Sequence, residues 1–412
     1  MTDFVILAAG KGERLWPITS TTPKVMVRVL GKPVLEWIIE GVFDQAGKIV
    51  VVVGVGKQQV TDYFKKTKYA KKLVFVNQRE QKGTGHALMQ AEDEISGNFF
   101  TFNGDNFFDP SVFKLIESEA KKKRFFSLTK KVEDPSQCGL FESTGGKITK
   151  FREKPSGVKE GFINMNCFYL PKLFFSYLHE LGASENGEIE LPKAVVAFSK
   201  QKPVELVEHF DYWNDIGCFW NYLEANAFAC ENLLKEGKTG AKIDKGVAIE
   251  GKAFIGKGTV VKSGTRIEGP VFIGENCVIG PNAFIRAGSV IENDCHVGSS
   301  EIKASVLMTG TNAPHYSYVG DSVLCENVNL GAGAKTANLR FDDEPVCVYL
   351  QRGDKLAKFN SGKRKLGCVI GQGTKIGINA CINPGVLIGC RSIVFPGTYV
   401  DRNVGDEMAA KG

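Results

Sequence analysis

The sequence holds no C-x-x-C pair: its 11 cysteines are scattered singly through 412 residues. Thiols spaced in this way make neither a disulfide framework nor a structural zinc site, and they point to a reducing cytoplasm. No secretory leader precedes the first apolar run at Phe4, and no run reaches the roughly 20 apolar residues that span a bilayer. A soluble chain with no membrane partner is the expectation. An excess of one charge is lacking too, since 52 Lys and Arg stand against 46 Asp and Glu, a net +6. The basic clusters from Lys65 to Lys72 and from Lys121 to Arg124 lack the aromatic spacing of a base-stacking platform. They read as solvated helix faces, and no nucleic acid is expected.

What is present falls into two textures. From Phe4 to about Asn226, β-rich runs (Phe4 to Leu7, Ile49 to Val53, Leu73 to Val76, Phe99 to Phe102) alternate with amphipathic stretches (Val34 to Phe43, Gln58 to Phe64, Gly85 to Ile95). This alternation predicts an α/β, Rossmann-like domain with a parallel sheet covered on both faces. Ligands of such sheets sit beyond the carboxyl ends of the strands, where the glycines and acids fall here.

After about Lys238 an aliphatic recurs every six residues, from Ile243 through Ile249, Ile255 and Val261 to Val297, and again from Ile370 to Val400. Six-residue periodicity is the mark of hexapeptide repeats in a left-handed parallel β-helix, which buries a narrow aliphatic column. The period loosens between Val297 and Ile370, and Asn338 to Lys365 is expected to leave the helix as a polar, basic excursion. The resulting division is 1–228 for the first domain, 229–242 for a linker helix and 243–412 for the β-helix.

The first strand runs into Leu7-Ala8-Ala9-Gly10-Lys11-Gly12-Glu13-Arg14-Leu15-Trp16-Pro17, with Pro23-Lys24 following. Glycine amides can approach phosphate closely, and Arg14 and Lys24 can neutralise a triphosphate. The turn lacks the third glycine of G-x-G-x-x-G and does not fit G-x-x-x-x-G-K-[ST]. The whole stretch resembles the signature of the sugar-1-phosphate nucleotidylyltransferases, and further motifs follow in that family's order. Gln78 with Gly83-Thr84-Gly85-His86 resembles its uracil- or thymine-reading segment. Asn103-Gly104-Asp105 and Trp213-Asn214-Asp215 resemble its metal-binding acids. Glu153-Lys154-Pro155, Asn164 and Gly139 resemble its sugar-binding elements. The resemblance implies that Asp105 and Asp215 hold Mg²⁺, that Arg14 and Lys24 hold the departing pyrophosphate, and that Lys154 meets the sugar phosphate. Leu7, Ala8, Ala9, Gly10 and Gly12 would line the nucleotide. One departure stands out: where the family has Asn-x-Gly, this chain has Asn164-Met165-Asn166.

In the irregular part of the repeat region, Asn312-Ala313-Pro314-His315-Tyr316-Ser317-Tyr318 is followed by Asn329 and Asn338. This resembles the acetyltransferase half of the bifunctional N-acetylglucosamine-1-phosphate uridylyltransferases, most of all the archaeal ones. Amide formation from a thioester needs an uncharged amine, and His removes that proton near neutral pH. The resemblance therefore implies His315 as general base and Tyr318, Asn329 and Asn338 as substrate contacts. Lys365, within Ser361-Gly362-Lys363-Arg364-Lys365, would contact the sugar phosphate. Expected partners are UTP or dTTP, a hexosamine or hexose 1-phosphate, acetyl-CoA as co-substrate, and two further copies in a homotrimer. The expected function is acetylation of glucosamine 1-phosphate followed by uridylyl transfer. The alternative is a glucose-1-phosphate thymidylyl- or uridylyltransferase with a purely structural β-helix.

Overall fold

The computed structural model describes residues 2–122, 124–184, 187–352 and 355–411. The chain divides into two compact units. The first is Met1–Lys11, Pro23–Val27 and Pro33–Asp215; the second is Gly12–Thr22, Arg28–Lys32 and Ile216–Gly412.

Among the described residues, thirteen strands and seven α-helices precede the repeats. The strands are β1 (Thr2–Ala8), β2 (Arg28–Val29), β3 (Lys32–Pro33), β4 (Ala46–Val53), β5 (Leu73–Asn77), β6 (Phe99–Asn103), β7 (Asn106–Phe108), β8 (Phe125–Val132), β9 (Gly139–Thr144), β10 (Lys147–Glu153), β11 (Gly161–Leu170), β12 (Val204–Glu208) and β13 (Trp213–Asp215). The helices are α1 (Val34–Val42), α2 (Lys57–Phe64), α3 (Gly83–Met89), α4 (Ser111–Lys121), α5 (Phe174–Leu181), α6 (Leu191–Ser199) and α7 (Phe219–Asn232).

The main sheet of the first unit has the order β5-β4-β1-β6-β11-β8-β12-β10-β9. The β5-β4-β1-β6 half is parallel, as the alternation predicts. Beyond it β11 runs antiparallel to β6, so the sheet as a whole is mixed. Both faces are covered. Phe4, Ile6 and Ala8 of β1 join a core with residues of α1, α2 and α4. Their neighbours Val5, Leu7 and Ala9 join a second core with α3, α5 and α6. Strand alternation thus feeds two apolar layers from one strand.

The expected linker helix over 229–242 is corrected. Helix α7 starts earlier, at Phe219, and stops at Asn232. The amides of Leu233 and Leu234 both turn back to the Ala229 carbonyl, at 2.8 and 2.9 Å, closing the last turn. Gly237 already bridges Phe254, so the chain there has entered the first coil.

In the second unit each coil stacks on the next through parallel pairs, and three aliphatic columns result. Ile255, Ile273, Ile291, Leu307, Leu324, Ile370 and Ile388 form one of them. The columns meet in one buried core. The loosened region still winds: Val297, Ile302 and Leu307 occupy successive faces at five-residue spacing, and each still pairs with the coils around it. The excursion is real. An antiparallel bridge between Leu339 and Lys365 closes its base, and Cys347–Arg352 pairs with Lys355–Asn360 as a hairpin inside it.

Candidate active sites

Asp105 follows the carboxyl end of β6, and Asp215 ends β13. The antiparallel pairing of β13 with β7 sets Asp215 opposite Asn106, which brings the two acids together. Lys24 enters between them, ion-paired to Asp105 Oδ2 and 3.3 Å from Asp215 Oδ1. Asp105 is deeply buried, which pushes its carboxyl above the usual range; Lys24 opposes that push and Asp215 adds to it. Its Oδ1 is buried with no hydrogen-bond partner among the described residues. A buried, partnerless carboxylate oxygen beside a second carboxylate suits a hard cation that keeps water or substrate oxygens in its remaining positions. Among the described residues no group of three or more His, Cys, Asp or Glu gathers as a metal cage. The residues fit Mg²⁺ held by two carboxylates and do not fit a closed structural site.

The segment expected to read the base is built as a latch. Gln78 is buried after β5, and its Nε2 donates to the Gly83 carbonyl at 3.2 Å and lies 3.0 Å from His86 Nδ1. Gly83 has a φ of +91°, and a Cβ there would lie 2.6 Å from the Ile189 carbonyl oxygen, so only glycine fits. The Thr84 hydroxyl accepts from the Leu191 amide at 3.1 Å. Gln81, unassigned from sequence, donates from Nε2 to the Ala9 carbonyl at 2.7 Å and ties this segment to the Leu7-Ala8-Ala9-Gly10 turn. A Cβ on Gly10 would meet open space.

On the sugar side, Gly139 opposes Glu153 across β9 and β10, and a Cβ on Gly139 would strike the Phe151 ring at 2.6 Å. Lys154 takes a left-handed φ of 46° and donates its amide to the Cys138 carbonyl at 3.0 Å. Asn164 and Asn166 bond to each other, and the carbonyl of Met165 between them accepts from Asn106 Nδ2 at 2.7 Å. Gly12 and Arg14 belong to the second unit. Gly12 has a φ of +70° and precedes a single helical turn, Glu13–Leu15, that carries Arg14.

The β-helix presents its own polar cluster. Asn338 Nδ2 donates to Tyr318 Oη at 3.2 Å and also to Asp321 Oδ2. Lys303 pairs with both oxygens of Asp321 at 2.9 and 2.7 Å. Burial raises the Tyr318 hydroxyl above its ordinary value. A Cβ on Gly320 would lie 2.6 Å from Tyr318 Oη and 2.7 Å from Asn338 Nδ2, so this glycine makes room for the cluster. His315 lies on the same strand, Asn312–Gly320, with its side chain exposed and its carbonyl accepting from the Gly333 amide at 3.0 Å. Asn329 is exposed one coil on, opposite Asn312. Neither His315 nor Asn329 is bonded to the Tyr318–Asn338 pair.

Closure of the excursion brings Lys365 back beside Asn338, whose carbonyl accepts from the Leu366 amide at 2.9 Å. Of the three basic residues there, Lys363 pairs with Glu224 and Arg364 with Asp343, whereas Lys365 has no ion pair among the described residues. Sequence reasoning missed Lys303 and gave Asp321 no role. The repeat period could not have found it, because the coil is shortened here: Lys303 pairs with Gly320, and its side chain reaches Asp321 one residue further on.

A mixed α/β sheet with an acid-lysine cluster at its strand ends, followed by a hexapeptide β-helix with a His-bearing strand, defines a nucleotidyltransferase joined to an acetyltransferase-type repeat. The comparisons agree. The nucleotidyl transferase family matches residues 4–232, and the bacterial transferase hexapeptide family matches residues 270–300. The chain is 41% identical to the "Bifunctional protein GlmU" of Methanococcus maripaludis, over 98% of this chain and 96% of that one. It is 39% identical to the "Bifunctional sugar-1-phosphate nucleotidylyltransferase/acetyltransferase" of Sulfurisphaera tokodaii, over 97% of each. A crystal structure of apo UDP-glucose pyrophosphorylase shares the fold of the first half, with TM-score 0.52 at 23% identity, covering 57% of this chain and 100% of that one. The chain belongs to the bifunctional sugar-1-phosphate nucleotidylyltransferase and acetyltransferase family, and it is an enzyme of that class. Among the described residues no helix is long and apolar enough to cross a membrane.

Proposed function

We propose that this enzyme makes UDP-N-acetylglucosamine in two transfers. In the first, the amine of glucosamine 1-phosphate attacks the thioester carbonyl of acetyl-CoA. An amide forms, the carbon–sulfur bond breaks, and CoA leaves as its thiol. His315, exposed on its strand, takes the amine proton, and the Tyr318–Asn338 pair with Lys365 holds the sugar phosphate. In the second, a phosphate oxygen of N-acetylglucosamine 1-phosphate attacks the α-phosphorus of UTP, and pyrophosphate departs.

That second step gathers several negative charges, so positioning and charge neutralisation dominate it. Lys24 neutralises the triphosphate, Asp105 and Asp215 hold Mg²⁺, and Gln78 with Gly83 and Thr84 reads the base. Mg²⁺ supplies charge stabilisation to the phosphate oxygens when bound. Glu153, Lys154, Gly139 and Asn164 hold the sugar phosphate. Three copies would assemble through the β-helix, and the cytoplasm supplies every substrate.

The observation that carries this reading is the Lys24–Asp105–Asp215 array at the strand ends, in a chain that also holds the His315 strand. The test is mass spectrometry of the products from a mixture of hexose and hexosamine 1-phosphates, UTP, dTTP, acetyl-CoA and Mg²⁺. UDP-N-acetylglucosamine is the expected major product. Asp105→Asn should remove pyrophosphate release and leave thiol release from acetyl-CoA intact; unchanged pyrophosphate release would remove the metal assignment.

A further inference from the structure

Strand β11 has a gap in its pairing beside the first site. Its ladder with β8 breaks between Asn164 and Phe168, and its ladder with β6 begins only at Cys167. Met165 and Asn166 stand in that gap, and a side chain does there what a neighbouring strand does elsewhere: Asn106 Nδ2 donates to the Met165 carbonyl at 2.7 Å. The bond fixes which end of the amide is nitrogen, since a carbonyl oxygen must face a donor.

Asn106 is wholly buried and held on a firm strand. The next two residues of β7, Phe107 and Phe108, pack edge-on against Trp37 and Phe102, with ring centroids 5.5 and 5.9 Å apart. Asn106 follows Asp105 directly and lies opposite Asp215 in the antiparallel β7–β13 pair, so its side chain shares a face with that of Asp215. One amide therefore ties the two acids to the backbone between Asn164 and Asn166. The other end of that amide is a liability for stability. Asn106 Oδ1 is buried with no partner among the described residues, a penalty that an apolar side chain of the same size would not carry.

We propose that Asn106 is a positioning residue for nucleotidyl transfer, setting the offset between the sugar-side segment of β11 and the Asp105–Asp215 pair. This rests on the function proposed above, in which Asn164 holds the sugar phosphate and the two acids hold Mg²⁺. Attack needs the sugar's phosphate oxygen in line with the α-phosphorus, and a slip of about 1 Å in such an alignment lowers the rate roughly a hundredfold. Asn106 acts through Met165 and through strand pairing, without touching substrate. Its loss should therefore appear in kcat and spare UTP binding, which uses Gln78, Gly83 and Thr84.

The experiment compares full-length wild type, Asn106→Leu and Asn106→Thr. Calorimetry with UTP alone counts the molecules whose base site is intact, and pyrophosphate release from UTP and N-acetylglucosamine 1-phosphate gives kcat per UTP-binding molecule. Asn106→Leu keeps the volume and removes the donor; its kcat should fall on the order of 100-fold, with the UTP dissociation constant and thiol release from acetyl-CoA at wild-type values. Asn106→Thr keeps a hydroxyl donor, and its kcat should lie between the other two. A purely structural role would lower the count of UTP-binding molecules and leave kcat per such molecule unchanged, and that result overturns the proposal. So does a Thr variant as slow as the Leu variant, which would mean that the Met165 bond positions nothing. A wild type that binds UTP but releases no pyrophosphate with any hexose or hexosamine 1-phosphate overturns the function beneath the proposal instead.

Discussion

Lys24 and Asp105 should contribute unequally to stability, and the inequality tests the geometry of the first site. Lys24 is the compensating cation for a carboxylate whose side chain is 18% exposed, while Asp215, with its side chain 40% exposed, is more readily rehydrated. Lys24→Met removes that cation and leaves Asp105 with burial and a like-charged neighbour. Breaking a buried pair from one side costs about 3 kcal/mol or more. Asp105→Asn, by contrast, leaves Lys24 with Asp215 and relieves the crowding of two acids, so its cost should be below about 1 kcal/mol. The double variant removes both charges and should regain about 2 kcal/mol over Lys24→Met. Urea unfolding followed by fluorescence reads this cycle, since Trp37 and Trp213 lie in the first unit.

The pH dependence has a definite sign. Burial and Asp215 raise the folded Asp105 pKa, and loss of Lys24 raises it further. A carboxyl whose folded pKa exceeds its unfolded value contributes stability fully below the unfolded pKa and loses it as pH rises through the folded one. The Lys24→Met deficit should therefore be largest at neutral pH and shrink towards the ordinary carboxylate range, about 4. All three variants should lose pyrophosphate release. Equal stability of the two single variants, or a double variant no firmer than Lys24→Met, would refute the reasoning.

At the second site, His315→Ala should block thiol release from acetyl-CoA while pyrophosphate release continues; wild-type thiol release would remove the general-base role. Gly320→Ala should push Tyr318 Oη away from Asn338 and raise KM for glucosamine 1-phosphate several-fold, about what one hydrogen bond confers; an unchanged KM would mean that the pair does not face substrate. Glu292, buried in the second unit and 3.0 Å from Arg28, is raised by burial against the pull of Arg28. Ionised Glu292 thus costs stability as pH rises, so Glu292→Gln should gain Tm relative to wild type with increasing pH; a pH-independent difference in calorimetry would contradict the burial.

The sequence by itself determined the two textures, because each is a periodicity that only one backbone geometry can bury. Aliphatics six apart, from Ile243 to Val297, have no use except in a stacked coil, and the coils are there. The alternating runs around Phe4, Ile49 and Phe99 likewise fixed the parallel half of the first sheet. The candidate acids were legible because Asp105 and Asp215 each sit in a recognisable motif. Tertiary structure decided what periodicity cannot carry. Pairing of β13 with β7 brings Asp215 to Asp105, and no local pattern encodes a contact across that span of chain. The end of α7 was set by entry of Gly237 into the first coil rather than by helical propensity. Lys365 reached Asn338 only because the excursion closes on itself, and Lys303 reached Asp321 only because one turn of the β-helix stacks them.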